Sequence, residues 1–325
     1  MPELRPLRTR CRPRSHQSQG IAAHPAFLFP GQGSQQPGMG TELLQDEEVS
    51  ELCDRCASFA DVDLRMLLTN AGDDELRLTQ NAQPALCFVG IALTLLLRRR
   101  GIEPVAAAGH SVGEYAALAA AGSVGAPQVI KAVVDRGNAM AEAAPAGTSS
   151  MAAVLGLDPQ AIEVALAGMN DAWPANYNTP TQTVIAGTTT GLEVATQRLQ
   201  LAGAKRIVPL NVSAAFHTPL MAPAAQQLRA ALDRIEWREP RIPVMANLTG
   251  RRHQGGDRIA HVMEMQLRSP VRWAACVGSL VEMGCDTFFE VGPKRALTGM
   301  MRELAPGKTA AAVAGPTAVA ELAIQ

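Results

Sequence analysis

The stretch PVAAAGHSVGEYAALAAAG, residues 104–122, restricts the fold more than any other part of the chain. A short apolar run, too brief for a helix, meets Gly-His-Ser-Val-Gly, and an apolar helical segment closed by Gly122 follows. A strand turning sharply through a serine into a helix belongs to an α/β sheet protein. Glycines permit the corner because a Cβ there would collide with neighbouring strands, and the turn lifts the hydroxyl out of the sheet. The first helical N–H groups then carry partial positive charge beside Ser111, where an oxyanion can form. Ser111 has a second reading as an ordinary helix cap beside turn glycines.

The surrounding pattern extends the α/β reading. Ala26–Phe29, in AFLFPGQGSQ, reads as a buried strand running into a glycine-rich turn. No GK[ST] follows, so the turn is not a phosphate-binding loop. A helical stretch ends near Arg100; its apolar run, Leu86–Leu97, is about half of the ~20 residues a membrane span needs, and reads as a buried helix. Between Ser111 and His217 the order changes to strand (SSMAAVLGL), helix (DPQAIEVALAGM, capped by Asp158), two strands (WPANYN, QTVIAGT), helix (TGLEVATQRLQLAG) and strand (KRIVPLNVS). This βαββαβ order predicts a ferredoxin-like unit inserted in a larger α/β-hydrolase-like one. The expected organisation is a catalytic α/β part over 25–147 and 213–305, with a parallel sheet and nucleophile elbow. The inserted unit covers 148–212, and a substrate cleft lies between the two. Residues 1–24, rich in arginine and without an apolar core, read as a disordered leader, a transit peptide or a misplaced start; 306–325 reads as a loose alanine-rich tail.

Charge and cysteines exclude some function classes. The net charge is −1, which gives no field for nucleic acid or an anionic membrane. Six cysteines include one CxxC, Cys53 and Cys56, with no second pair to complete a zinc site. They read as free thiols of a cytoplasmic protein.

A nucleophilic serine needs a base, and the chain has six histidines. His16 and His24 belong to the leader or its edge. His253 sits in the polar segment GRRHQGGD, His261 fits a helix face, and His110 adjoins the serine but diverges from it on the turn. His217, in NVSAAFHTPLM, stands where a strand meets a helix; its alternative is a hydrogen-bonded structural histidine. Arg136 is the unusual charge. On its predicted helix every residue at i±3, i±4 and i±7 is apolar: Val129, Ala132, Val133, Ala139, Met140 and Ala143. A guanidinium in such a stripe either binds a carboxylate, forms an internal ion pair or snorkels to solvent.

The chain resembles the malonyl-CoA:acyl carrier protein transacylases, including the discrete acyltransferases that serve polyketide synthases. FPGQGSQ, LTQNAQPAL, GHSVGE, RGNAM, NTPTQTVIAG, AFHTPLM, QLRSPVRW and EVGPKRALTG occur in that family's order over Ala26–Leu304. The resemblance implies roles for individual positions. Ser111 matches the acyl-accepting nucleophile and His217 its base; Gln32 and Val112 match the backbone donors of the oxyanion hole. Arg136 matches the arginine that pairs with the free malonyl carboxylate. Gln266 matches the residue that accepts from His217, and Phe216 the malonyl-selecting, transferase-type residue. The implied reaction moves malonyl from malonyl-CoA through an acyl-serine to the phosphopantetheine thiol of an acyl carrier protein, in fatty acid or polyketide synthesis. No metal or other cofactor is implied, and a monomer is expected. Arg268, Arg272, Lys294, Arg295 and Arg302 would meet an acidic carrier or stand as solvated surface charges. The alternatives are a hydrolase that clears carrier-bound acyl groups and the transacylase subunit of a malonate decarboxylase.

Overall fold

The computed structural model describes residues 24–143, 147–212 and 214–322. Five parallel strands form the main sheet in the order β7-β2-β1-β8-β9: β1 (Pro25–Phe29), β2 (Ala106–Gly109), β7 (Val244–Met245), β8 (Thr287–Val291) and β9 (Thr309–Val313). The central strands carry apolar residues continuously because both faces are covered. Alternation sends Phe27, Phe29 and Ala107 into one core and Ala26, Leu28, Ala106 and Ala108 into another.

The first core lies beneath α1 (Glu47–Ala60), α2 (Leu64–Thr69), α3 (Asp73–Arg77), α4 (Thr79–Arg99), α5 (Gly113–Ala120) and α6 (Ala126–Glu142). α4 holds the apolar run Leu86–Leu97, and its apolar residues are packed inside this core, against α6 and α5.

Between β2 and β7 the chain forms a second, antiparallel sheet in the order β4-β5-β3-β6. Its elements follow the expected βαββαβ order: β3 (Ser149–Leu155), α7 (Pro159–Ala165), β4 (Ala172–Thr179), β5 (Gln182–Thr188), α8 (Thr189–Leu201) and β6 (Arg206–Pro209). The Asp158 carboxylate caps α7 by accepting from the Ala161 N–H at 2.9 Å. One face of this sheet packs Val154, Ile162, Ile185 and Leu199 into a small core of its own; the other gives Met151, Ala153, Val184 and Ala186 to the main core. The two sheets therefore share buried side chains on the side where the cleft lies. The chain returns through α9 (Ala222–Leu232), α10 (Gly256–Leu267), α11 (Trp273–Glu282) and α12 (Ala296–Leu304).

The C-terminal expectation is corrected. Residues 306–322 are not a loose tail: β9 pairs in parallel with β8, and α13 (Pro316–Glu321) follows it. Val313 is fully buried and Val319 nearly so. An alanine-rich edge strand has little periodic contrast of its own, and pairing with β8 makes it a strand. The arginine-rich stretch 1–23 lies outside the described residues, whereas His24 donates its main-chain N–H to Asp286.

Candidate active site

Ser111 stands at the corner between β2 and α5 with a left-handed backbone, φ 54°. Such a conformation in a non-glycine residue costs on the order of 1–3 kcal/mol and persists only where the surroundings enforce it. The two flanking glycines show how tightly they do. A Cβ on Gly109 would come 1.9 Å from the carbonyl carbon of Gly113, and one on Gly113 would come 2.1 Å from the oxygen of Phe29. His217, between β6 and α9, is also left-handed, φ 61°.

These two strained residues meet. Ser111 Oγ lies 2.7 Å from His217 Nε2, and His217 Nδ1 lies 2.9 Å from the main-chain carbonyl of Gln266. A carbonyl only accepts, so Nδ1 carries the proton and Nε2 is left bare to take one from the hydroxyl. Burial, and next the Arg136 charge, push the His217 imidazole down to about 3, so it is the neutral base at neutral pH. A histidine held neutral in the fold contributes stability above its unfolded value near 6.5, and that stability drains away as pH falls from there toward 3. Between pH 7.5 and 5.5 wild type should therefore lose about 1.4 kcal/mol more stability than a His217→Ala variant, one pH unit's worth of linkage. Urea denaturation of both proteins at the two pH values checks this; equal losses would contradict a buried neutral imidazole.

Arg136, on α6, is completely buried. Nη1 donates to Gln83 Oε1 at 2.5 Å; Nη2 donates to Ser111 Oγ at 3.0 Å and to Gln266 Oε1 at 3.2 Å. Its guanidinium carbon lies 5.7 Å from the centre of the Tyr115 ring, and Nε has no hydrogen-bond partner among the described residues. No carboxylate touches it among the described residues, so neither an internal ion pair nor snorkelling accounts for it. Burial lowers its pKa from the usual value. A desolvated guanidinium beside a nucleophile, with no anion of its own, is built to receive one.

The remaining site candidates fall around the same cleft, of about 200 Å³. Gln32 follows Gly31, whose Cα is pressed against the His110 carbonyl; a Cβ there would come within 2.7 Å of it. Gln32 and Val112 both line the cleft, and neither main-chain N–H has a protein acceptor among the described residues. Phe216 walls the cleft beside His217, with Met140, Met151 and Val184. Gln266 accepts from His217 as expected, but through its main-chain carbonyl; its side chain spans Arg136 and Glu114 instead. His110 turns away from the serine, with Nε2 3.0 Å from Asn178 Oδ1 and its ring beside Trp273. His261 is exposed on α10 near Glu264.

Three buried polar residues escape the sequence reading. His253 is not in a solvated loop: it is buried with Nε2 2.7 Å from Glu114 Oε1. Asn247 Oδ1 accepts the Ser111 N–H at 2.7 Å, and its Nδ2 donates to the Gly109 carbonyl at 2.7 Å. Glu114 alone was detectable, as the one charge in the otherwise apolar helix GEYAALAA, by the same test that singles out Arg136. Cys53 and Cys56 are free and buried, and burial pushes their thiols up to about 11 and about 12. Among the described residues no group of His, Cys, Asp or Glu is arranged to hold a metal ion.

Comparison with known proteins places this site in a family. An acyl transferase domain model matches residues 26–318. The malonyl CoA-acyl carrier protein transacylase of Bacillus subtilis (strain 168) is 39% identical over 305 residues, covering 92% of this chain and 96% of that one. The protein of the same name from Escherichia coli (strain K12) is 38% identical over 300 residues, covering 91% and 97%. The crystal structure of MCAT from Streptococcus pneumoniae superposes with a TM-score of 0.87 at 36% identity, over 91% of this chain and 98% of that one. A malonyl-transacylase solved in complex with its type II PKS acyl-carrier protein gives the same TM-score, 0.87, at 36% identity, over 92% and 98%. With a serine bonded to a buried histidine, beside an arginine that meets no carboxylate among the described residues, and with similarity over almost its whole length, this chain belongs to the acyl transferase domain family, among the malonyl CoA-acyl carrier protein transacylases.

Proposed function

We propose that this chain is an acyl carrier protein S-malonyltransferase working through Ser111. The observation that carries the reading is Arg136: a fully buried cation without a carboxylate partner among the described residues, 3.0 Å from the Ser111 hydroxyl. A malonyl thioester presents a carbonyl to attack and, two carbons away, a carboxylate that completes this guanidinium.

His217 Nε2 takes the hydroxyl proton as Ser111 Oγ bonds to the thioester carbon. The carbonyl electrons move to oxygen, held by the Val112 and Gln32 main-chain N–H groups. Collapse of the tetrahedral adduct breaks the C–S bond; the CoA thiolate leaves with the proton from His217, and malonyl-serine remains. The phosphopantetheine thiol of a carrier protein then gives its proton to His217 and attacks the ester carbon; the C–O bond breaks, Ser111 Oγ leaves with that proton from His217, and the malonyl thioester remains on the carrier. The thiol travels on the partner, so the chain's own residues suffice without a resident cofactor.

The carrier is the acidic kind of partner that cations at the cleft mouth would receive. α12 lines the cleft with Ala296, Leu297 and Met300, and exposed Lys294 and Arg295 stand at its start. Arg302 is exposed on α12, and Arg272 lies over the Tyr177 ring, 5.8 Å from its centre. Arg268 meets Glu264 at 3.4 Å. Malonyl-CoA and an acyl carrier protein are thus the two substrates of a cytoplasmic monomer supplying fatty acid or polyketide synthesis.

Arg136→Ala tests the reading. Truncating one member of a desolvated charge pair costs on the order of 2–5 kcal/mol. Malonyl transfer should fall by roughly 30- to 5000-fold. Acetyl-CoA, without a carboxylate, should lose little, so kcat/KM for the two donors converges. An unchanged malonyl-to-acetyl ratio, with a lowered Tm, would make Arg136 a brace of the fold.

A further inference from the structure

One buried anion has no part in the chemistry so far. Glu114 is wholly buried in the first turn of α5. Its carboxylate accepts three hydrogen bonds: at Oε1 from His253 Nε2 (2.7 Å), and at Oε2 from the Asn247 main-chain N–H (3.0 Å) and from Gln266 Nε2 (2.8 Å). Two of those donors reach the reacting groups through a second bond. Asn247 holds both arms of the elbow, the Ser111 N–H and the Gly109 carbonyl. Gln266 donates from Nε2 to the Ser111 carbonyl at 3.0 Å, accepts from Arg136 at Oε1 and accepts from His217 at its main-chain carbonyl.

Among the described residues His217 itself touches no carboxylate; its orienting partner is a neutral carbonyl. The imidazolium that forms when it takes the serine proton therefore has no anion in contact. A serine–histidine pair ordinarily relies on such an anion to hold the ring and stabilise that cation. Here the nearest bonded route from the ring to an anion runs through one residue, Gln266, to Glu114.

We propose that Glu114 is the displaced counter-anion of the Ser111–His217 pair, a positioning residue that acts through Gln266 and Asn247. This rests on the nucleophile and base roles given above and not on the identity of the acyl donor. Glu114 touches neither substrate nor the reacting atoms, so its removal lowers the rate of the chemical step whatever the acyl group carries. That sets it apart from Arg136, whose loss falls on carboxylate-bearing donors.

Glu114→Gln removes the charge and keeps the shape. The new amide carbonyl accepts from Asn247 and Gln266, and its NH2 donates to His253 Nε2 once that ring's proton moves to Nδ1, which has no partner now among the described residues. His253→Gln keeps the charge and still offers Glu114 a donor. The experiment measures kcat and KM with malonyl-CoA and with acetyl-CoA, and the rate of sulfonylation by phenylmethanesulfonyl fluoride. Rates are expressed per Ser111 titrated, so that unfolded molecules do not count. Glu114→Gln should lower kcat for both donors, and the sulfonylation rate, by roughly 10- to 100-fold, the scale at which outer partners of an active-site group act, with KM and donor ratio little changed. His253→Gln should stay near wild type. Wild-type rates per titrated site in Glu114→Gln, or a loss confined to malonyl-CoA, would overturn the proposal. So would a loss in His253→Gln, which makes the imidazole rather than the anion the active part, and which can be read even if Glu114→Gln does not fold. If wild type shows no malonyl preference while sulfonylation still falls in Glu114→Gln, the donor assignment fails and this inference stands.

Discussion

Replacing Ser111 with alanine is expected to reduce acyl transfer by roughly 10⁵- to 10⁶-fold, the scale of losing the nucleophile from a serine–histidine pair. The fold should survive. Ser111 is held by its main chain, through the N–H to Asn247 and the carbonyl to Gln266, and alanine keeps both bonds. What disappears is the oxygen between His217 Nε2 at 2.7 Å and Arg136 Nη2 at 3.0 Å. Arg136 then loses an acceptor, so the variant should still bind malonyl-CoA and form no covalent adduct. Initial rates with a radiolabelled donor, alongside circular dichroism, check both halves. Transfer within tenfold of wild type would remove Ser111 from the mechanism.

His217→Ala is expected to cost nearly as much, and the double variant no more than either single one, because residues that act as a unit are not additive. Two effects combine. The proton acceptor is lost, a factor of about 10²–10⁴ by itself. The hydroxyl also loses the bond that orients it, since the other polar group at Oγ, Arg136, only donates. The truncation leaves a ring-sized space against the Gln266 carbonyl. Added imidazole should therefore restore part of the rate, which a merely structural histidine would not allow. Near-normal turnover without imidazole would move the base elsewhere, with His110, which lines the same cleft, the first to test.

The residues most legible in the sequence are those whose chemistry conflicts with their local pattern. Arg136 stands out because a charge occupies an apolar helical stripe; the stripe left an internal ion pair and snorkelling open, and the structure buries the guanidinium on neutral acceptors. Ser111 is legible because two glycines at fixed offsets admit one tight corner, and the overlaps at Gly109 and Gly113 give the reason in distances. His217 is left as a candidate by its place between a strand and a helix, and its role as base comes from the family resemblance. The inserted βαββαβ order is likewise carried by short-range alternation and turns.

What the sequence hides is set by tertiary contact. His253 lies in a polar string that looks solvated, yet its ring is drawn inward by Glu114, a residue 139 positions away. The partner of His217 is a main-chain carbonyl, and a carbonyl has no residue-type signature; Gln266 is recognisable, but not which of its oxygens acts. β9 is an alanine-rich segment that becomes a strand because β8 offers it an edge.

The most direct test of the central claim is to expose wild type briefly to malonyl-CoA, map any acyl group by mass spectrometry of its peptides, and repeat after a chase with holo acyl carrier protein. The account predicts malonyl on the peptide containing Ser111, and its passage to the carrier thiol during the chase. An acyl group on another residue, transfer with no acyl-enzyme, or release of free malonate in place of transfer would contradict it.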